Sequence, residues 1–347
     1  MAMIRRAGWT AAAVTALCLA TSMTQARDLP VPPGKGWQHA ETGLILPSTL
    51  DGMARTRLAD STTQERDVTI SFADPTRATI ATLFLYRPAI ASVPLWFDRA
   101  EAAIGANDIL GDTAPNSADP VAFAPPGSHS GSALRRVYHA SKGAYPATGL
   151  AMLPMGPWLV AVRLSRKDGD LAALDAGMTR LISAIRWPAA FPDAPAAQPI
   201  RACDAPMAWK KAKLRKSDMN EAIGASFLGL LSQSATQPAN PAPTRWCRDD
   251  SSTVDYAVYR AAGQTGYVVA LGDAGRSVSV SPAFATILKP EVKDRFTVML
   301  EDVDSSASSY GTFDGLPRPD QVVDRVLHAQ PDSRNQGKQI TIGVPKG

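Results

Sequence analysis

Acid–base or metal chemistry in this chain would fall first to its four histidines, His39, His129, His139 and His328. No two of them have the HxH or HExxH spacing that sets two imidazoles on one strand face or one helical turn. No metal site and no cofactor are therefore expected. The stretch Gly127-Ser128-His129-Ser130-Gly131 has the glycine spacing of a nucleophile elbow. His129 stands where the presented hydroxyl is needed, so a solvated loop histidine is expected instead. No serine is followed three residues later by lysine, which leaves a Ser-Lys hydrolase without its motif. Gly34-Lys35-Gly36 follows a proline run rather than a strand, and Gly337-Lys338 lacks the earlier glycine of a phosphate-cradling loop. Glu301, Asp302 and Asp304, with Ser306 and Ser308, hint at a calcium loop. Ala307 takes the turn position that demands glycine and Phe313 the place of the closing acid, so plain surface charge is expected. No residue is assigned a catalytic role. The enzymatic alternative is an envelope hydrolase with a Ser/His/Asp site assembled from distant positions.

One cluster suits binding better than chemistry. Lys210, Lys211, Lys213, Arg215 and Lys216 lie beside Trp209. Held on one face, they form a candidate partner-binding patch for an anionic surface such as phospholipid headgroups, or for an acidic envelope protein.

The address of the protein is written at its start. Arg5 and Arg6 precede an apolar run from Trp9 to Thr21, which ends in Thr24-Gln25-Ala26, small at both specificity positions. This pattern predicts a secretory signal peptide over residues 1–26, cleaved after Ala26, and a periplasmic or secreted product without a transmembrane segment in the mature chain. Cleavage removes Cys18 and leaves Cys203 and Cys247 in an oxidising compartment, so one disulfide between them is predicted. It also removes two arginines and no acid, which takes the formal charge from +4 to +2. That near-neutral balance gives no reason to expect a nucleic-acid partner. With 45% hydrophobic and 20% charged residues the composition is that of a globular chain, which excludes wholesale disorder.

The elements that would position any site follow from periodicity. Prolines and glycines from Leu29 to Gly36 preclude regular structure. Val68, Ile70 and Phe72 alternate with polar residues, turn at Ala73–Thr76, and continue into a β-rich run from Ala78 to Tyr86, a β-hairpin. Ser92 is placed to cap a helix with Pro94 in its first turn. Gly111 to Ser132 has the composition of a long exposed loop. Strands are expected at 134–139, 148–153 and 158–164, the last with Trp158, Val160, Val162 and Leu164 on one face and Ala161, Arg163 and Ser165 on the other. Asp168 or Asp170 caps a helix that ends at Trp187-Pro188. Residues 189–200, rich in proline and alanine, read as a linker. Beyond it come a helix from about Asp218, strands at 254–260, 267–271, 277–280 and 296–300, a short helix at 319–327, and a strand at 339–342. The expected fold class is α+β, with two domains, 27–188 and 201–347, each a mainly antiparallel sheet flanked by helices.

The order of elements in the first half resembles the PsbP-like α/β/α sandwich, shared with the Ran nucleotide-release factors. The pattern is carried by Gly43-Leu44-Ile45-Leu46-Pro47, the hairpin and helix after it, the strand Gly156-Pro157-Trp158-Leu159-Val160-Ala161-Val162-Arg163, and the long helix ending near Trp187-Pro188. It spans roughly residues 37–188. This resemblance implies an antiparallel sheet flanked by helices and a non-enzymatic module that docks on proteins or shields apolar segments. The sequence as a whole therefore points to an exported binding or assembly module of a bacterial envelope.

Overall fold

Period-two alternation builds the first of two large sheets. The computed structural model describes residues 26–189, 193–216, 223, 224, 226, 244–288, 294–337 and 339–343. All but the last residue of the expected signal peptide, and most of the helix expected from Asp218, lie outside these residues. Strands β1 (Met53–Asp60), β2 (Asp67–Ala73) and β3 (Thr79–Tyr86) form one meander. After helix α1 (Val93–Gly105), strands β4 (Ala133–Ala140), β5 (Ala147–Met155) and β6 (Trp158–Arg166) form another. The meanders join where β6 pairs antiparallel with β3, Val162 opposite Leu83. The resulting order is β1-β2-β3-β6-β5-β4, with short strands at both edges.

Helix α2 (Leu171–Ala184), capped by Asp170, whose carboxylate accepts from the Ala173 N–H at 2.9 Å, covers one face of this sheet. Leu174, Met178, Leu181 and Ile182 pack there against Val137, Ala151, Val160, Val162 and Leu164. Gly149 lets the helix come this close. A Cβ at that position would lie 2.5 Å from the Met178 methyl group.

The stretch expected as a long exposed loop carries two short strands, Thr113–Pro115 and Val121–Phe123, which both pair with β4. Three-residue strands among prolines and glycines leave no periodic trace in sequence. Strand β1 was also not anticipated. Its register slips at a bulge between Arg55 and Arg57, which breaks the alternation.

The second sheet is a continuous antiparallel run in chain order: β7 (Trp246–Arg248), β8 (Tyr256–Ala261), β9 (Tyr267–Leu271), β10 (Arg276–Pro282), β11 (Arg295–Glu301), β12 (Ala307–Asp314), β13 (Ser333–Gln336) and β14 (Gln339–Ile342). A short helix α3 (Phe284–Leu288) precedes β11, and α4 (Pro319–His328) precedes β13. Val322 and Val326 of α4 pack on Val258, Val269, Val278 and Val298. The fold is thus sheet-rich, with mainly antiparallel strands and few helices.

Helix α1 lies between the two sheets. Ser92 caps it as expected, and Leu95, Trp96, Phe97 and Ile104 share one apolar cluster with Leu150, Met152 and Leu159 of the first sheet and Ala257, Tyr259 and Ala270 of the second. Burial of such side chains contributes about 2–3 kcal/mol each. Ala197 belongs to the same cluster, and its N–H donates to the Gly131 carbonyl at 2.9 Å, so the proline- and alanine-rich stretch is docked here. The β9–β10 turn also meets the first sheet. The Ala89 N–H donates to the Gly275 carbonyl at 2.9 Å. Gly275 has φ +86°, and a Cβ there would lie 3.0 Å from the Tyr86 ring and 3.1 Å from the Pro88 backbone.

Asp67, near this junction, titrates unusually. Burial, with Asp60 and Asp302 adding to it and Arg276 and the Ser61 hydroxyl opposing, raises its pKa from 3.8 to about 6. Burial raises Glu301 from 4.5 to about 7. Both acids hold their proton more tightly in the folded state. Their contribution to stability is therefore complete below about pH 4 and is lost as pH rises through the folded values. Asp67→Asn and Glu301→Gln, which keep the neutral form at any pH, should raise the melting temperature at pH 8 and leave it unchanged at pH 4. Thermal unfolding across that range is the measurement; a gain independent of pH would contradict the assignment.

Candidate functional site

The disulfide forms as expected. Cys203 and Cys247, with Cα atoms 4.8 Å apart, join the segment at Arg201–Ala202 to β7. The candidate basic patch divides. Trp209 turns inward, edge-on to Tyr267 with ring centroids 5.1 Å apart, and its indole N–H donates to Asp249 Oδ1 at 3.3 Å. Arg215 pairs with Asp314 at 2.9 Å. Lys210, Lys211, Lys213 and Lys216 face solvent. The segment is held by two hydrogen bonds between Gln321 and the Ala212 backbone and by pairing of Lys213–Leu214 with β12.

The histidines are scattered. His39 is buried, with Nδ1 2.9 Å from Thr42 Oγ1, Nε2 3.0 Å from the Glu65 carbonyl, and its ring edge-on to Trp158. Burial lowers its pKa. Nε2 donates to the Glu65 carbonyl and Nδ1 accepts from the Thr42 N–H at 3.2 Å, so both ring nitrogens serve to hold the N-terminal loop. His129, His139 and His328 are exposed at separate places. Two acids of the suspected calcium loop, Asp302 and Asp304, pair with arginines or with their own backbone, and burial favours the protonated form of Glu301. Asp302 contacts Arg276 at 2.9 Å, and Asp304 accepts from the Ser306 N–H at 2.8 Å. Among the described residues no group of three or more His, Cys, Asp or Glu is placed to hold a metal ion.

Two concave sites are candidates for a ligand. A cavity of about 170 Å³ lies beside α1, where the halves meet, and its charges satisfy one another. Arg248 pairs with Asp98 at 2.8 Å, Arg136 with Glu101 at 3.1 Å and Arg201 with Asp119 at 2.7 Å. The Tyr259 hydroxyl donates to Asp98 at 2.6 Å, and burial beside that carboxylate pushes the phenol well above its ordinary pKa. The contacts of Asp98 with Arg248 and Tyr259 and of Asp119 with Arg201 join the halves, and together with Arg136–Glu101 they leave little unmet polarity for a ligand.

The second cavity, about 200 Å³, is different in kind. It opens on the same face of the first sheet that α1 covers, where the helix ends and the strands run on. Its floor comes from β3, β5 and β6. Arg163 lies opposite Thr82, and Ser165 lies opposite both Ile80 and Thr148. The Thr148 and Ser165 hydroxyls are 2.9 Å apart. One wall is the turn Asn107–Leu110 after α1, and the other is the loop Gly143–Tyr145. The walls are tied together by the Lys142 N–H, which donates to the Leu110 carbonyl at 2.9 Å. The Tyr145 hydroxyl donates to the Arg77 carbonyl at 3.0 Å, and the Lys167 ammonium lies 5.7 Å from the Tyr145 ring centre. Ile109, 75% exposed, forms an apolar rim.

Arg163 is the single charged side chain lining this cavity. Burial lowers its pKa, while Asp273 of the β9–β10 turn and the Tyr138 phenol act through space in the opposite direction. Among the described residues, no hydrogen-bond acceptor or ion-pair partner reaches its guanidinium. A half-buried guanidinium offers up to five donors in a fixed fork. Here that fork lines the same cavity as the Thr82, Thr148 and Ser165 hydroxyls, an arrangement that can receive an oxyanion.

The sequence did not single out this site. Its one visible signal was Arg163 between the small residues Ala161 and Ser165 on the inward-alternating face of β6, where an apolar side chain would be ordinary. No protein-family model matches this chain, and neither does any curated protein or solved structure.

Proposed function

We propose that this chain is an exported module of a bacterial envelope whose work is binding, and that the cavity over Arg163 is where it binds. The observation that carries this reading is a preformed, polar-floored cavity whose one charge has no hydrogen-bonding or ion-pairing partner among the described residues. Concave sites with a few convergent polar groups are the usual places for ligands. Export is supported by Arg5 and Arg6, the apolar run and the small-residue exit after them, and the Cys203–Cys247 bond, which suits an oxidising compartment. No helix among the described residues is long and apolar enough to cross a membrane.

In this reading the two sheet-bearing halves are domains of an α+β protein, and the first is of the PsbP-like kind. The antiparallel sheet with α1 on one face and α2 on the other supports that assignment. The exposed Lys210, Lys211, Lys213 and Lys216 provide a secondary electrostatic contact with an acidic envelope partner or an anionic surface.

Photo-crosslinking in the exporting cell tests the proposal. A benzophenone amino acid replaces Ile109 at the cavity rim or, as a control, Leu327 on α4, which is 65% exposed. A discrete adduct from position 109 alone is expected. Equal capture from both positions, or none from 109, would remove the cavity from the function.

A further inference from the structure

We infer that the ligand received at the sheet-face cavity is a small oxyanion, a carboxylate or a phosphate monoester carried on a short apolar body. This inference rests on the binding reading above and gives it a chemical class. Three observations converge on it. Arg163 is the sole charge on the lining, and its guanidinium meets no acceptor among the described residues. Planar guanidinium pairs with carboxylate and phosphate through two parallel hydrogen bonds, a match that a neutral amide or an alcohol cannot supply. The Thr148 and Ser165 hydroxyls lie on the same floor, bonded to one another at 2.9 Å, so one of their protons is free to turn toward an anion's second oxygen.

The body of the ligand follows from the walls. Ile80, Leu110 and the exposed Ile109 give the mouth an apolar side. A cavity of about 150 Å³ accommodates benzene. The present cavity, about 200 Å³, accommodates a ring or short chain together with its headgroup.

Asp273 supplies an internal check. Its carboxylate acts on Arg163 from the β9–β10 turn without an ion-pair contact. An incoming anion therefore works against this charge, and its removal should favour binding.

Titration of the mature protein with benzoate and phenyl phosphate, against neutral benzamide, tests the inference by backbone NMR shifts at rising NaCl. Saturable binding of the anions at the cavity is expected, weakening with salt, with benzamide at least about tenfold weaker. Arg163→Gln should cost the anions at least about tenfold and abolish their advantage over benzamide. Charge changes at exposed positions, Ile109 on the cavity rim and Asp273 on the β9–β10 turn outside the lining, give a second reading. Ile109→Lys and Asp273→Asn should each tighten anion binding a few-fold, and Ile109→Glu should weaken it by a similar factor. The tighter of the two anions identifies the headgroup.

Equal affinity for benzoate and benzamide, or an anion preference that survives Arg163→Gln, would overturn the inference. So would the absence of saturable binding up to about 20 mM of either anion. If that absence accompanied a discrete crosslink from position 109, the oxyanion assignment would fall and the binding reading would stand. If the crosslink were missing as well, both would fall.

Discussion

Replacing Arg99 by methionine is expected to cost about 3 kcal/mol of unfolding free energy and to uncouple the two sheets. Arg99 is only 2% exposed. From α1 it reaches into the second half, where Nε donates to the Gly272 carbonyl at 2.8 Å and a terminal nitrogen donates to the Val254 carbonyl at 3.1 Å. Methionine keeps the packing of the stem but leaves both carbonyls without their donor. Each lost hydrogen bond from a charged donor is worth about 1.5–3 kcal/mol, and part is recovered where water reaches the turn. The Gly272 carbonyl belongs to the β9–β10 turn that docks on Tyr86 and Pro88, so its release should loosen the junction as well. Lysine keeps the charge without the fork and should fall between the two. Urea unfolding followed with probes in each half is the measurement. A lower midpoint with two resolved transitions is expected, and a single transition at the wild-type midpoint would show that α1 does not couple the sheets.

Loss of the disulfide should be of similar size. Cys203 and Cys247 are separated by 44 positions, and the chain-entropy model assigns closure of such a loop about 4 kcal/mol. That figure is an upper value, and about 2–4 kcal/mol is expected for the double Ser variant. The bond anchors the entry to the second half, where the segment after Ala202 runs on to Trp209, the inward anchor on Tyr267. Arg260 Nε also lies 3.2 Å from Cys203 Sγ, so the bridge is built into the local packing. Urea unfolding with and without reductant should show the shift in the wild type and none in the variant. A thiol count on the denatured, unreduced mature protein should find no free thiol; two would refute the bridge.

The parts of this fold that were legible in sequence are those where one face is buried and the other is not. In β2, Val68, Ile70 and Phe72 alternate cleanly, and in α2 the spacing from Leu174 to Ile182 follows one helical face. The caps Ser92 and Asp170 marked helix starts because their side chains meet the orphan N–H groups there. Strand β12 was not foreseen, for the opposite reason. All but its last residue are buried, yet it is built from Ala, Ser, Gly and Thr around Tyr310 and Phe313, so neither alternation nor an apolar run appears.

The basic run from Lys210 to Lys216 was conspicuous as composition, but a one-dimensional cluster does not show which members find partners. Trp209 and Arg215 found them, in Tyr267 and Asp314. The cavity was the least legible part. Its floor joins residues from β3, β5 and β6 and its walls come from two loops, so only the register of the sheet brings Thr82, Thr148, Arg163 and Ser165 together.

The central claim is that Arg163 is held ready for a ligand rather than for the fold. It is tested most directly by NMR of the mature protein carrying ¹⁵N-labelled arginine side chains, with the Arg163 Nε–H signal assigned by its absence in Arg163→Gln. On titration with benzoate that signal should move progressively and saturably, while the signals of Arg99 and Arg248, already bonded to protein groups, stay in place. An Arg163 signal that remained fixed while benzoate shifted only exposed arginines would contradict the account.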